Sequence, residues 1–235
     1  MRLGLVLLVL LAAAGCAAPV PPQPPGTVAL RAPDALPSPK VAAENFVQVI
    51  QQVEPVAETV CAARTAGLSC DYQIVVDSRP GRAPNAYQTV TEEGRPLIVF
   101  TIALVAEARN QDELAFILGH EAAHHILGHL ARMEVNAARG AALAGALAAA
   151  QGADADAVRE AEGIGAEIGA RRYSREFELE ADALGTEIAL RAGYDPARGA
   201  AYFTRIPDPG NVFLGSHPPN AARVAVVETT LARLQ

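Results

Sequence analysis

His120-Glu121-Ala122-Ala123-His124 brings together the side chains best suited to chemistry in this chain. The stretch lies in a segment whose apolar spacing reads as helix. Two histidines four apart on a helix differ by about 40° in heading, so both imidazoles reach one metal ion. Glu121, beside them, can take a proton from a metal-bound water. This H-E-x-x-H pattern points to zinc-assisted hydrolysis of peptide bonds.

Two histidines do not hold a catalytic zinc firmly. Three protein ligands and one open position are usual. No further histidine follows at a spacing that would complete the set, so a carboxylate is expected. Ser174-Arg175-Glu176-Phe177-Glu178-Leu179-Glu180-Ala181-Asp182 supplies several. Phe177, Ala181, Leu184 and Ile188 mark the buried stripe of that helix. Glu178 and Asp182 share one flank of the stripe, and Glu176 and Glu180 share the other. Glu178 and Glu180 differ by about 200° in heading, so they cannot both face the metal. Glu178 is therefore expected to bind one zinc ion per chain with His120 and His124. Asp182, one turn on, is expected to hold a liganding imidazole from behind. His125 points about 100° away from His124 and reads as packing or support, and His129 belongs with it.

The elements that must position these groups follow from the same patterns. Asn110 reads as a helix N-cap with Glu113 at the capping-box position. Leu114, Ile117, Leu118, Ala122 and Ile126 form the buried face of that helix, which is expected to carry all four histidines from His120 to His129. Ser174 opens the carboxylate helix, which runs to about Arg191 and ends before Gly193 and Pro196. Upstream, Val41 to about Ala66 is helical, broken or kinked at Pro55. Gln73 to Asp77, Tyr87 to Thr91 and Leu97 to Thr101 read as strands, the last two joined by a turn at Glu93-Gly94. Gly140 to Gly169 is helical in pieces with a break at Gly152-Ala153-Asp154. Pro196 to Arg205 and Asn220 to Leu234 are shorter helices around a proline-rich loop. No internal repeat is present. The fold expected is mainly helical α+β, a zincin-like domain with a small β-sheet packed beside the H-E-x-x-H helix.

The rest of the chain bounds its setting. Met1 and Arg2 precede an apolar run, Leu3 to Ala14, too short to span a bilayer comfortably. Ala13-Ala14-Gly15-Cys16 then resembles a bacterial lipoprotein signal, with Cys16 the lipidated residue. The alternative is an ordinary secretory signal cleaved near Ala18. Eight of the 17 prolines lie between Pro19 and Pro39, which reads as an extended tether. The expected organisation is a signal over 1–15, a tether over 16–40 and a catalytic domain over 41–235. Loss of Arg2 leaves 18 basic residues against 26 acidic ones, a net charge of −8. Such a chain, without a basic cluster, is a poor nucleic-acid binder. With Cys16 assigned to lipid, Cys61 and Cys70 remain and are expected to pair in an oxidising compartment, free thiols being the alternative.

The H-E-x-x-H stretch, the Ser174-Arg175 pair and Glu178-Leu179-Glu180-Ala181-Asp182, in that order and separation, resemble the M48 family of gluzincin metallopeptidases. That family includes the CAAX prenyl proteases, HtpX and the periplasmic BepA. The resemblance runs from about Val41 to the C-terminus and implies that Glu178 ligates zinc. It also matches Ser216-His217-Pro218 and Arg223 to a His-Pro and a later Arg of the family. His217 would then lie near the zinc, steadying the oxyanion or blocking the water site, with Arg223 supporting it. Lacking multiple membrane spans, the chain is similar to the soluble, exported lipoprotein branch. Ala17 after the lipid cysteine, by resemblance to lipoprotein sorting, favours the outer membrane.

The expectation is thus a lipid-anchored periplasmic zinc endopeptidase, with polypeptide substrates and a part in envelope protein assembly or quality control. A protease-like chaperone whose zinc site His217 gates is the alternative from a different class. A structural envelope lipoprotein has no need of Glu121. Substrate is expected along an exposed strand edge, with Leu97 to Thr101 the candidate unless that strand is central.

Overall fold

The computed structural model describes residues 34–172, 174–208 and 218–235. Cys16, the signal segment, most of the tether and His217 lie outside the described residues.

Helix α1 (Pro39–Arg64) starts where the Ser38 hydroxyl accepts the Val41 amide, with Pro39 in the first turn, where no amide donor is needed. It runs on through Pro55, the expected break. Pro55 is on the exposed side, where solvent can satisfy the carbonyl it leaves unmatched, while Val53 and Ala57 on either side are buried. The chain joins the domain before α1: Asp34 accepts hydrogen bonds from Asn110 and Arg198, at 2.9 and 2.5 Å.

Strands β1 (Gln73–Asp77), β2 (Ala86–Val90) and β3 (Pro96–Thr101) form one sheet in the order β1-β3-β2. β3 runs parallel to β1, with Val75 opposite Val99, and antiparallel to β2, with Gln88 opposite Ile98. The turn between β2 and β3 carries Gly94 at φ 80°, a left-handed position where a Cβ would be strained. The continuous apolar run of β3 is buried on both faces, as suits a central strand. β3 is thus paired on both edges. It cannot accept a substrate strand, and the expectation that it does is corrected.

Thr101 then caps a helix that the periodicity did not announce, α2 (Ile102–Glu107). The helix α3 (Gln111–Ile126) packs against α1 and the sheet, and Phe46 meets Phe100 edge-on at 5.0 Å across that layer. Helices α4 (His129–Ala150) and α5 (Ala155–Arg172) form a hairpin closed at Gly152. Their backbones approach so closely that a Cβ on Gly165 would overlap the Gly140 carbonyl, which accounts for the Ala- and Gly-rich composition. The helices α6 (Ser174–Arg191), α7 (Pro196–Ala200) with a following 3-10 turn, and α8 (Asn220–Leu234) complete the domain. The architecture is mainly helical α+β and zincin-like, as expected from sequence. Among the described residues, no helix is long and apolar enough to cross a membrane.

Candidate metal centre

The scaffold of the site is α3 crossing α6. Asn110 caps α3 by accepting the Glu113 amide at 3.0 Å. Glu113 reaches back to the Arg109 amide at 2.9 Å and binds Arg205 through both carboxylate oxygens, at 2.6 and 2.8 Å. These bonds satisfy donors that a helix start leaves unpaired and anchor the 3-10 segment to α3. Further along, Gly119 faces Gly185, and the absence of a side chain on either lets α6 lie directly on α3.

That contact delivers Glu178 to the histidine pair. His120 Nε2 and His124 Nε2 are 3.0 Å apart, and Glu178 places its two carboxylate oxygens 3.6 and 3.4 Å from them. One ligand atom from each of the three residues lies within 4.8 Å of the other two. Two imidazole nitrogens and one carboxylate form the donor set of a His₂Glu catalytic zinc site. The set fits the metal in a second respect, because the other nitrogen of each ring is already engaged. His120 Nδ1 is 2.9 Å from Asp182 Oδ1, which fixes the tautomer that leaves Nε2 free to ligate.

Asp182 is fully buried and is held by Arg223 from α8, whose Nε and Nη2 donate to its two oxygens at 2.8 and 2.6 Å. Arg223 also stacks over Phe203, its guanidinium carbon 3.9 Å from the ring centre. Burial pushes the Asp182 carboxyl up, but the hydrogen bonds from Arg223 and His120 outweigh it and hold the group below the usual carboxylate range. For His124, burial acts downward, and the carboxylates of Glu178 and Glu121 prevail to raise it in the metal-free protein. The centre is thus a pocket of negative charge that favours a cation.

His129 is not on α3, where the sequence placed it. Leu127 and Gly128 end α3, with Gly128 at φ 64° in the left-handed region, and α4 begins at His129. On an unbroken helix His129 would head about 140° away from His124. The turn instead brings His129 Nδ1 to 2.8 Å from His124 Nδ1. His129 Nε2 faces Glu180 at 3.1 Å, and Arg132 binds Glu180 at 2.6 Å. Burial lowers His129 to about 4 against the opposing pull of Glu180, so its ring is neutral near pH 7. Glu180 leaves α6 on the flank opposite Glu178, as its heading requires. Sequence reasoning missed this chain of contacts, and Gly128 was the signal that could have found it. His125 supports rather than ligates: its Nε2 meets the Ser69 carbonyl at 2.7 Å and its ring stands edge-on to Tyr72.

Glu121 is buried and lines the same cleft as His120, His124 and Glu178, a space of about 790 Å³. Residues 83–88, running from the preceding loop into β2, form one wall. β2 pairs with β3 on one side only, and among the described residues no strand covers its other edge. Leu104, Phe116, Phe203 and Ile206 give the cleft an apolar end.

The model of peptidase family M48 matches residues 44–231, most of the chain and every metal-centre residue described above. The chain belongs to peptidase family M48. The family is one of metallopeptidases, and His120, His124 and Glu178 are a group within the matched residues that could hold a metal ion. Over 112 residues it is 38% identical to a Vibrio cholerae protein provisionally named beta-barrel assembly-enhancing protease. The aligned stretch is 45% of this chain and 23% of that protein, so the match spans less than a quarter of the relative's length.

Proposed function

We propose that the protein is a zinc-dependent endopeptidase that cleaves unfolded or misassembled polypeptides of the cell envelope. The observation that carries this reading is the convergence of His120, His124 and Glu178 with Glu121 in one cleft, beside the edge of β2 that no strand among the described residues pairs with. His120, His124 and Glu178 would hold the ion. When bound, zinc supplies Lewis-acid polarisation of the scissile carbonyl and acidifies water.

The chain's own residues do the rest. An extended peptide adds to the edge of β2 through backbone hydrogen bonds, which binds chains of many sequences provided they are unfolded. Glu121 accepts a proton from the attacking water and returns it to the leaving amine. Asp182 holds the His120 ring, and Arg223 keeps Asp182 charged inside the domain. His217, matched by the family resemblance, is proposed to reach the oxyanion.

The lipoprotein-like Cys16 and the named relative support a periplasmic, lipid-anchored protein, with the outer membrane its destination and envelope assembly machinery its partner. The experiment is digestion of an unfolded protein by the purified chain, with and without chelator, beside Glu121→Gln. Cleavage by the zinc-loaded wild type alone supports the reading. Equal cleavage by both proteins overturns it. One zinc per chain without cleavage favours the alternative, a chaperone with a gated site.

A further inference from the structure

The two liganding histidines are held from behind in different ways. His120 Nδ1 meets a carboxylate directly, Asp182, and that carboxylate is closed by Arg223. His124 Nδ1 meets a second imidazole, His129, and only beyond it come a carboxylate and an arginine, Glu180 and Arg132. The first chain is buried throughout. The second runs from the centre to the surface, where the side chains of Glu180 and Arg132 are 42% and 44% exposed.

Hydrogen counting fixes the direction of the second chain. The Glu180 carboxylate only accepts, so His129 Nε2 carries the proton and His129 Nδ1 is an acceptor. His124 Nδ1 must then be the donor, which leaves the lone pair of His124 on Nε2, the atom that faces His120 and Glu178. With His124 Nε2 given to the metal, its Nδ1 bears the proton, and any arrangement but this one then sets two protons against each other across 2.8 Å. His129 cannot easily rotate out of this role, because its ring is 1% exposed and stacks on Phe177 at 4.6 Å with an interplanar angle of 11°. Arg132 lies over the same Phe177 ring, 4.1 Å from its centre.

His129 and Arg132 both belong to the first turn and a half of α4, the base of the α4–α5 hairpin, whereas His124 lies in the last turn of α3 and Glu180 is on α6. We infer that His129 is the positioning residue of His124, and that through Glu180 and Arg132 it makes the metal affinity of the centre depend on how the base of the hairpin is seated on α6. The inference rests on the reading of His120, His124 and Glu178 as the metal ligands.

The test is zinc affinity, measured on the full-length protein by competition with a chromogenic chelator, alongside thermal unfolding of the metal-free form. His129→Phe keeps a ring against Phe177 but has no acceptor. His129→Asn loses the ring and offers a carbonyl near the position of Nδ1. Loss of such a support typically weakens metal binding roughly 10–100-fold. The expected result is a loss of that size in His129→Phe with an unchanged unfolding midpoint, and recovery of most of it in His129→Asn. Glu180→Ala, at the half-exposed end of the chain, should weaken binding several-fold without touching the ring. It decides the matter if either substitution of His129 fails to fold, since wild-type affinity in Glu180→Ala then overturns the inference. Wild-type affinity in His129→Phe also overturns it, as does an equal loss in the Phe and Asn variants, which would mark a packing role. A wild-type protein that binds no zinc sinks the ligand reading itself, a separate outcome.

Discussion

A Cβ on Gly185 would lie 2.8 Å from the amide nitrogen of His120. The backbone of α6 thus rests on the backbone of α3 at His120, and this contact sets how far Glu178 reaches towards the histidines. Gly185→Ala must push the two helices apart. Overpacking of this kind typically costs about 1–3 kcal/mol. The expected outcome is a lower unfolding midpoint together with weaker zinc binding, because the displacement falls between the two halves of the donor set. Unchanged metal affinity in a destabilised Gly185→Ala protein would show that the crossing does not position Glu178.

Asp182 and Arg223 form a buried ion pair, 0% and 8% exposed. Removing one partner of such a pair leaves an uncompensated charge and costs about 3–5 kcal/mol. Arg223→Ala, which also removes the stack on Phe203, should destabilise the metal-free protein by that order in urea titration. Arg223→Lys keeps the charge but loses the two-pronged contact, and it should recover only part of the stability. Full stability in Arg223→Ala would remove the pair from the account of the fold.

The helices that carry the candidate ligands were legible because their spacing is local: Asn110 and Glu113 mark one start, and the stripe from Phe177 to Ile188 sets the headings of Glu178 and Asp182. What stayed hidden depends on partners far along the chain. Arg223 reaches Asp182 across 41 residues, and only family resemblance drew attention to it. The role of β3 turned on which strands flank it, although its unbroken apolar run already suited a strand buried on both faces. His129 was misplaced because a single left-handed residue, Gly128, resets the helical phase.

Because β3 is central, the proposed substrate edge is that of β2. Along a strand, successive backbone N–H groups point to opposite edges. Proline at Tyr87 and at Gln88, made separately, should therefore behave differently. One variant removes a bond to β3 and destabilises the sheet. The other removes an outward donor and leaves the fold intact while raising KM about threefold to tenfold, the worth of one hydrogen bond. Two variants with wild-type KM would rule out the β2 edge as the substrate strand.

Cys61 and Cys70 are joined in the structure, tying the end of α1 to the segment before β1. Ser69, next to the bridge, presents the carbonyl that meets His125. A bridge closing so short a loop is worth roughly 2–3 kcal/mol. Reduction, or Cys61→Ala with Cys70→Ala, should lower stability by that order and loosen the His125 contact. The readout is the unfolding midpoint with and without reductant. A midpoint indifferent to reductant would mean that the bridge contributes nothing to the fold.

The pH dependence of stability should carry opposing signs from neighbouring histidines when metal is removed. His125 and His129 are lowered by burial, the latter to about 4 from an ordinary 6.5. Their contribution is whole above the unfolded value of 6.5 and is lost as pH falls below it, for His129 towards about 4, because the unfolded chain takes up protons that the folded one refuses. His124 is raised, burial being outweighed by Glu178 and Glu121, so its contribution is whole below 6.5 and is lost as pH rises through the folded value. In chelator, urea midpoints should therefore peak near pH 6.5 and fall on both sides. Zinc held as proposed would require His124 Nε2 unprotonated, so saturating metal should abolish the alkaline fall and leave only the acid one. In His129→Phe the acid limb should become shallower. An acid limb as steep as that of the wild type would place the proton uptake elsewhere, in the carboxylates.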